Sequence, residues 1–179
     1  MKIYRRYYQK GSCVFITQVT NLRRPLFAET GRVELLREAI RKTMNRWPFS
    51  ITAMVVMPDH FHCMMQLPEN EEDYSTRIRL IKDYFSRTQT RLETTASREK
   101  KGDKGVWQRR FWAHIITDEN DWQRHIDYIH YNPVKHGLTR SAMTWPFSSF
   151  ARFQQQQLYP QGWGEMEPEN IKALKDNYE

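Results

Sequence analysis

Met54-Val55-Val56-Met57-Pro58-Asp59-His60-Phe61-His62-Cys63-Met64-Met65-Gln66-Leu67 is the stretch on which the reading of the chain turns. Two apolar runs flank Pro58-Asp59, a pair suited to a tight turn. The stretch therefore predicts a hairpin, with strands over residues 50–57 and 60–67. Side chains on a strand alternate faces, so His60 and His62 point one way and Phe61 the other. Two imidazoles on one face, one residue apart, can grip one metal ion or one phosphate. His-x-His alone is a weak signal, because a strand histidine also serves as a hydrogen-bonded core residue.

Elements on either side complete a pattern. Residues 13–20 are β-branched and apolar and predict the first strand. A helix follows over 30–45, with Thr30 as a candidate N-cap and Val33, Leu36, Ile40 and Met44 as its apolar stripe. A second helix is expected over 75–94, striped by Ile78, Ile81, Phe85, Thr88 and Leu92. Its other faces carry Arg77, Arg79, Lys82, Arg87 and Arg91, the composition of a solvated surface. A fourth strand spans 106–117. A third helix starts after Asp118 and is expected to stop near Asn132, because Pro133 disfavours helical geometry in the residue before it. Strand, helix, strand, strand, helix, strand and an added helix make an α/β (α+β) chain of the ferredoxin-like split βαβ type. In that topology an antiparallel sheet has helices on one face, and the first and third strands are central. The His pair then sits mid-sheet, on a rigid platform.

The 179 residues carry a net charge of +7, a pI near 9.5, and 39% hydrophobic and 13% aromatic side chains. Such a chain can bury a core and is not a disordered tail. Its basicity favours a polyanionic partner, nucleic acid first, because counterion release rewards many Lys and Arg contacts with phosphate. The plain alternative is a soluble basic protein. Cys13 and Cys63 form no Cys-x-x-Cys pair, which argues against a zinc ribbon or dithiol redox site. The N-terminal residues lack the apolar stretch of a signal peptide, and no run approaches the roughly 20 apolar residues of a membrane span. A cytoplasmic protein without membrane attachment is expected. Tyr4, Arg5, Arg6, Tyr7, Tyr8 and Lys10 alternate rings and cations. That arm suits stacking on unpaired bases and pairing with phosphates.

The second half of a site lies on the third helix. At 100° per residue, Trp122, Ile126 and Ile129 form its apolar stripe, and Asp121, His125, Tyr128 and Asn132 share the adjacent flank. Tyr128 and Asn132 are one turn apart and can reach one spot. A tyrosine and a metal ligand on one helix face, opposite a His pair on a strand, suit phosphoryl transfer. The phenol would attack phosphorus, helped by a cation because an ordinary phenol ionises near pH 10. The product would be a phosphotyrosine and a free hydroxyl, a reversible exchange that needs no ATP. Imidazole ligands favour manganese or zinc over magnesium.

The combination resembles the REP-associated tyrosine transposases, relatives of the small single-tyrosine HUH transposases. The matching stretches are residues 4–8, 55–63, 107–112, 127–137 (Asp127-Tyr128-Ile129-His130-Tyr131-Asn132-Pro133-Val134-Lys135-His136-Gly137) and 145–150, in family order over about residues 4–150. The His-x-His element followed by the Tyr-x-x-x-Asn-Pro-Val-Lys-His-Gly segment is the specific part. The resemblance implies a single-stranded DNA endonuclease and strand transferase that recognises REP hairpins and a few unpaired bases beside them. It implies His60 and His62 as catalytic metal ligands, Tyr128 as nucleophile, Asn132 at the third metal position, and Mg²⁺ or Mn²⁺ as cofactor. It also implies a 5′-phosphotyrosine intermediate and a monomer. Where relatives commonly carry Gln as third ligand, this chain has the shorter Asn132.

Arg5, Arg6, Arg23, Arg24, Arg109 and Arg110 are the candidate DNA contacts, and His136 and His125 the candidates to assist proton transfer. The expected division is a transposase domain over 1–150 and a C-terminal tail over 151–179, acidic toward its end and read as regulatory or disordered. Three rival readings are a REP-hairpin binder with little catalysis, an RNA-binding domain of the same fold, and a replication-initiation HUH enzyme.

Overall fold

The computed structural model describes residues 7–172 and 174. Its core is a four-stranded antiparallel sheet of β1 (Cys13–Val19), β2 (Ser50–Val56), β3 (His60–Gln66) and β4 (Trp112–Ile115), in the order β2-β3-β1-β4. The first and third strands are central, as the ferredoxin-like pattern requires. Helices α1 (Thr30–Arg46) and α2 (Tyr74–Arg87) cover one face, and α4 (Glu119–Lys135) lies against the other. A short α3 (Ala96–Glu99) and a short α5 (Phe150–Gln155) complete the helices.

The strand pleat divides the interior into two cores. Val14 and Ile16 of β1 and Phe61, Cys63 and Met65 of β3 pack with Val33, Leu36 and Ile40 of α1 and Ile78, Ile81 and Phe85 of α2. Phe15 and Met64 point the other way and pack with Ile126, Tyr128 and Ile129 of α4. Phe150, Phe153, Tyr159 and Ile171 join that second core from beyond the sheet. A buried polar relay ties them to α4. Tyr159 donates its hydroxyl to Asp127 Oδ1 at 2.7 Å, His130 Nδ1 lies 2.9 Å from the same hydroxyl, and His130 Nε2 lies 2.8 Å from Ser149 Oγ. Burial, and then the charge of Arg152, push the His130 imidazole down to about 3, so it works as a neutral hydrogen-bonding ring.

Four boundaries differ from expectation. Helix α1 begins at Thr30 with Glu29 at its N-cap, and that cap has no side-chain hydrogen bond. Helix α2 stops at Arg87, not near residue 94. Thr88 donates its hydroxyl to the Phe85 carbonyl, and Lys104 donates to the carbonyls of Arg87 and Gln89, so its last carbonyls are satisfied without another turn. The expected strand over 106–117 pairs with β1 only from Trp112. Before it, Val106, Trp107 and Phe111 are buried in an irregular run whose carbonyls at Gln108 and Arg109 accept from Lys82 Nζ. Helix α4 runs through Pro133 to Lys135 and is closed by Gly137 at φ 66, in the left-handed region glycine favours. Asn132 and Pro133 are both buried, and that packing outweighs the local preference of a residue before proline.

Arg77 is a further departure from the expected solvated face. It is 0% exposed and donates to the Pro48 carbonyl at 2.9 and 3.2 Å and to the Asp73 carbonyl at 2.8 Å. The guanidinium thus fastens α2 to the connection between α1 and β2. Arg77→Leu leaves those acceptors unsatisfied and should cost about 2–3 kcal/mol, read as a lower urea midpoint; an unchanged midpoint would show that the fork is dispensable.

Carboxylates set the acid limit. Burial alone would raise Asp73 and Asp103, but hydrogen bonds from Thr76 to Asp73 and from Arg98 to Asp103 outweigh it and hold both below the usual carboxylate range. Their folded values lie under their unfolded ones, so this stabilisation is fully present above about pH 4 and lost as pH falls through the folded values. Urea midpoints should therefore drop on going below about pH 4, less steeply in Asp103→Asn than in wild type; identical slopes would exclude the Asp103–Arg98 pair as a contributor.

Candidate active site

The central ladder sets the geometry. Antiparallel register places Thr17 of β1 opposite His62 of β3, and Thr17 Oγ1 lies 2.8 Å from His62 Nδ1. One step toward the hairpin turn, His60 Nδ1 lies 2.6 Å from Asp59 Oδ1. An ionised carboxylate only accepts, so His60 Nδ1 carries a proton and donates it to Asp59. Burial would raise the Asp59 carboxyl, but the hydrogen bond and charge of His60, and then of Arg23, outweigh it and hold Asp59 below the usual range. Arg23 Nη1 sits 2.9 Å from Asp59 Oδ2, at the end of a loop in which Leu22 and Arg23 both adopt positive φ.

With each Nδ1 engaged, the two Nε2 atoms face each other at 3.1 Å, and both histidines are almost wholly buried. One Nε2 donates to the other, and a divalent cation bound there would displace that proton and take both nitrogens. Carboxylate and hydroxyl partners behind the rings fix their orientation, as outer partners do around metal-binding histidines.

Helix α4 closes over the pair. The Tyr128 ring packs edge-on to His62 with centroids 5.3 Å apart, and the His136 ring packs edge-on to His60 at 5.8 Å. Asn132 lies one turn after Tyr128 and one before His136, on the same face. Its side chain is 0% exposed, and neither amide atom has a hydrogen-bond partner among the described residues. An orphaned buried amide one turn from Tyr128, on the helix that packs against the two imidazoles, fits a bound cation, which would take its carbonyl oxygen.

Lys135 was absent from the sequence candidates. Its ammonium stands 5.1 Å from the centre of the Tyr128 ring, where a cation favours a phenolate. Its place in the Tyr-x-x-x-Asn-Pro-Val-Lys-His-Gly segment, seven residues or two helical turns after Tyr128, is the sequence signal for it.

Other candidates are placed elsewhere. His125 packs against Phe15 at 4.7 Å and stacks on His114 at 4.8 Å, and Phe15 also contacts His62 at 5.5 Å, so a phenyl ring separates His125 from the His pair. The flank of α4 read as one site therefore serves two clusters. Arg23 is joined to Asp59, and Arg24 donates to the carbonyls of Glu93 and Gly105. Arg109 and Arg110 are exposed, and Arg109 lines an open cavity of about 480 Å³ with Lys82, Arg87, Arg98 and Lys104. Arg5 and Arg6 lie outside the described residues.

Residues 10–132 match the family profile described as Transposase IS200 like. A REP-associated tyrosine transposase of Escherichia coli K12 is 42% identical, covering 91% of each chain. A Haemophilus influenzae protein provisionally named in the same way is 40% identical over 92% of this chain and 94% of its own. Among solved structures, a REP-associated tyrosine transposase bound to a REP hairpin superposes with a TM-score of 0.75, at 42% identity and 89% coverage of both chains.

Asp59→Asn removes the anion behind His60 and should weaken Mn²⁺ binding about 10–100-fold, read by isothermal titration; wild-type affinity would show that His60 needs no carboxylate to orient it.

Proposed function

Because the chain belongs to the IS200-like transposase family, as a REP-associated tyrosine transposase, we propose that it cleaves and rejoins single-stranded DNA beside a REP-type hairpin through Tyr128. The single observation that carries this reading is the packing of Tyr128, with Lys135 over its ring, edge-on against a His pair whose Nε2 atoms meet at 3.1 Å.

The residues take distinct roles. His60, His62 and Asn132 would hold a divalent cation, Mg²⁺ or Mn²⁺, and imidazole donors suit manganese better. Such an ion, when bound, supplies Lewis-acid charge to a phosphodiester. The family's transposases are generally metal-dependent. Tyr128 supplies the nucleophilic oxygen. The new O–P bond to Tyr128 forms as the bond from phosphorus to the 3′ oxygen breaks. That leaves a 5′-phosphotyrosine on one strand end and a 3′-hydroxyl on the other. Lys135 stabilises the phenolate as it forms, and His136, exposed at the mouth, is placed to exchange protons with the leaving oxygen. Tyr128 is 2% exposed, so the DNA must approach from the C-terminal end of α4, where Lys135 and His136 reach solvent.

DNA binding rests on charge and rings. The exposed Arg109, at the rim of the open cavity, and Arg110 offer phosphate contacts, which set register without reading sequence. Tyr8 is partly exposed and stacks on Tyr74 at 5.1 Å, a platform for an unpaired base. Arg5 and Arg6 precede it in the same arm. The partner by this reading is single-stranded DNA carrying a REP-type hairpin, bound by a monomer in the cytoplasm. No described helix is long and apolar enough to cross a membrane. A hairpin-binding protein with little catalysis is the second reading, favoured by the burial of Tyr128.

The test is a cleavage assay on hairpin DNA with its single-stranded flanks, in Mn²⁺ or Mg²⁺, resolved on denaturing gels with and without protease. Wild type should give a protease-sensitive covalent band. Tyr128→Phe and EDTA-treated protein should give none, and Tyr128→Phe should bind the hairpin with affinity within about two-fold of wild type, as the loss of one hydroxyl outside the phosphate contacts predicts. Tight binding by wild type with no covalent product on any hairpin would establish the binding reading instead.

A further inference from the structure

A second cluster of donors lies on the same sheet face, behind Phe15. β4 carries His114, and the first two turns of α4 carry Asp121 and His125. The Asp121 carboxylate stands between the two imidazoles, with His114 Nε2 2.7 Å from Oδ2 and His125 Nδ1 3.1 Å from Oδ1. His125 Nδ1 donates to the Asp121 main-chain carbonyl at 2.8 Å, which leaves Nε2 as its donor atom for an ion. The rings stack nearly parallel, 18° apart. Each residue offers one donor atom, and the three atoms lie within 4.8 Å of one another.

Helix capping explains only part of this group. Asp121 accepts from the backbone of Thr117 at 3.0 Å, and Asp118 caps the Asp121 amide at 2.8 Å. That arrangement requires a carboxylate but neither histidine. Two imidazoles drawn from different elements onto one carboxylate form a donor set used by zinc-like cations. Tetrahedral ligands held about 2.1 Å from such an ion stand roughly 3.4 Å apart, so an ion would lengthen the close contacts to Asp121 and draw the widest pair of donors together. His114 is a third exposed, which gives an ion a route from solvent and leaves a position for water. Cys13 borders the group on β1, close enough for the Asp121 charge to act on its thiol.

We infer that His114, Asp121 and His125 form a second divalent-metal site, distinct from the His60–His62 pair and selective for a borderline ion such as Zn²⁺ over Mg²⁺. Two nitrogen donors and one carboxylate favour zinc in a three-ligand site, whereas magnesium keeps oxygen ligands and its waters. The ion joins the edge strand β4 to the first turns of α4. It thereby holds the base of the helix that carries Tyr128, three residues beyond His125. The inference stands apart from the reading of the catalytic site, since it uses none of the same ligands.

Zn²⁺ titration of the chelator-stripped full-length protein, against a chromophoric competitor, separates the two sites. Wild type should take up two equivalents. His114→Ala and the milder His114→Gln, which keeps a hydrogen-bond donor toward Asp121, should each take up one. The doubly substituted His60→Ala, His62→Ala chain should also take up one, and its thermal midpoint should rise with Zn²⁺ but not with Mg²⁺. Adding His114→Gln to that chain should abolish both uptake and shift. Two equivalents retained in His114→Ala, or none bound by the folded His60→Ala, His62→Ala chain, would overturn the assignment. Loss of the covalent DNA band in any variant bears on the catalytic reading alone.

Discussion

Everything in this protein depends on the antiparallel pairing of β1 with β3 at the centre of the sheet. That ladder puts Phe61 into the core beneath α1 and α2 and turns His60 and His62 toward α4. A slip of one residue would exchange the faces, bury two imidazoles among Ile78, Ile81 and Phe85, and expel Phe61 toward the helix that carries Tyr128. The same register brings Thr17 behind His62. Apolar burial on one side of the strand therefore specifies the chemistry on the other, at no extra conformational cost.

The helix over the His pair is held at both ends by polar contacts and in the middle by apolar ones. Asp121 joins its first turn to His114 on β4, Ile126 and Ile129 fill the core, and Asp127 and His130 engage Tyr159 and Ser149 from the C-terminal region. One flank of α4 faces the sheet and the other faces residues beyond 150. Tyr128 thus stands on an element braced from two sides, which fixes a side chain more firmly than a loop would. Asn132 is the exception among these buried polar groups, with an amide that has no partner among the described residues, and such a group is tolerated where a ligand completes it.

Charge has a division of labour that composition conceals. Of the cations that make the chain basic, several stabilise the fold. Arg77 is buried on backbone carbonyls, Arg24 clasps Glu93 and Gly105, Arg98 bridges Asp103, Asn21 and Trp107, and Arg23 anchors Asp59. Net charge predicts a polyanionic partner but does not say which guanidinium meets it. Each fold-bound arginine withdraws one candidate from the surface.

From the sequence alone came the topology, the His pair on one strand face, and the sharing of a helix face by Tyr128 and Asn132. Each rests on a period of 2 or 3.6 residues, which local backbone geometry dictates. The exact element ends were not legible, because Pro133 and the run before Trp112 obey tertiary packing and side-chain capture of carbonyls over local preference. Nor was the opposition of the two Nε2 atoms, the cation over Tyr128, or the separation of His125 from the His pair by Phe15. Those depend on which side chains meet across elements distant in sequence. Periodicity along one element cannot encode such a meeting, and only the packed tertiary structure decides it.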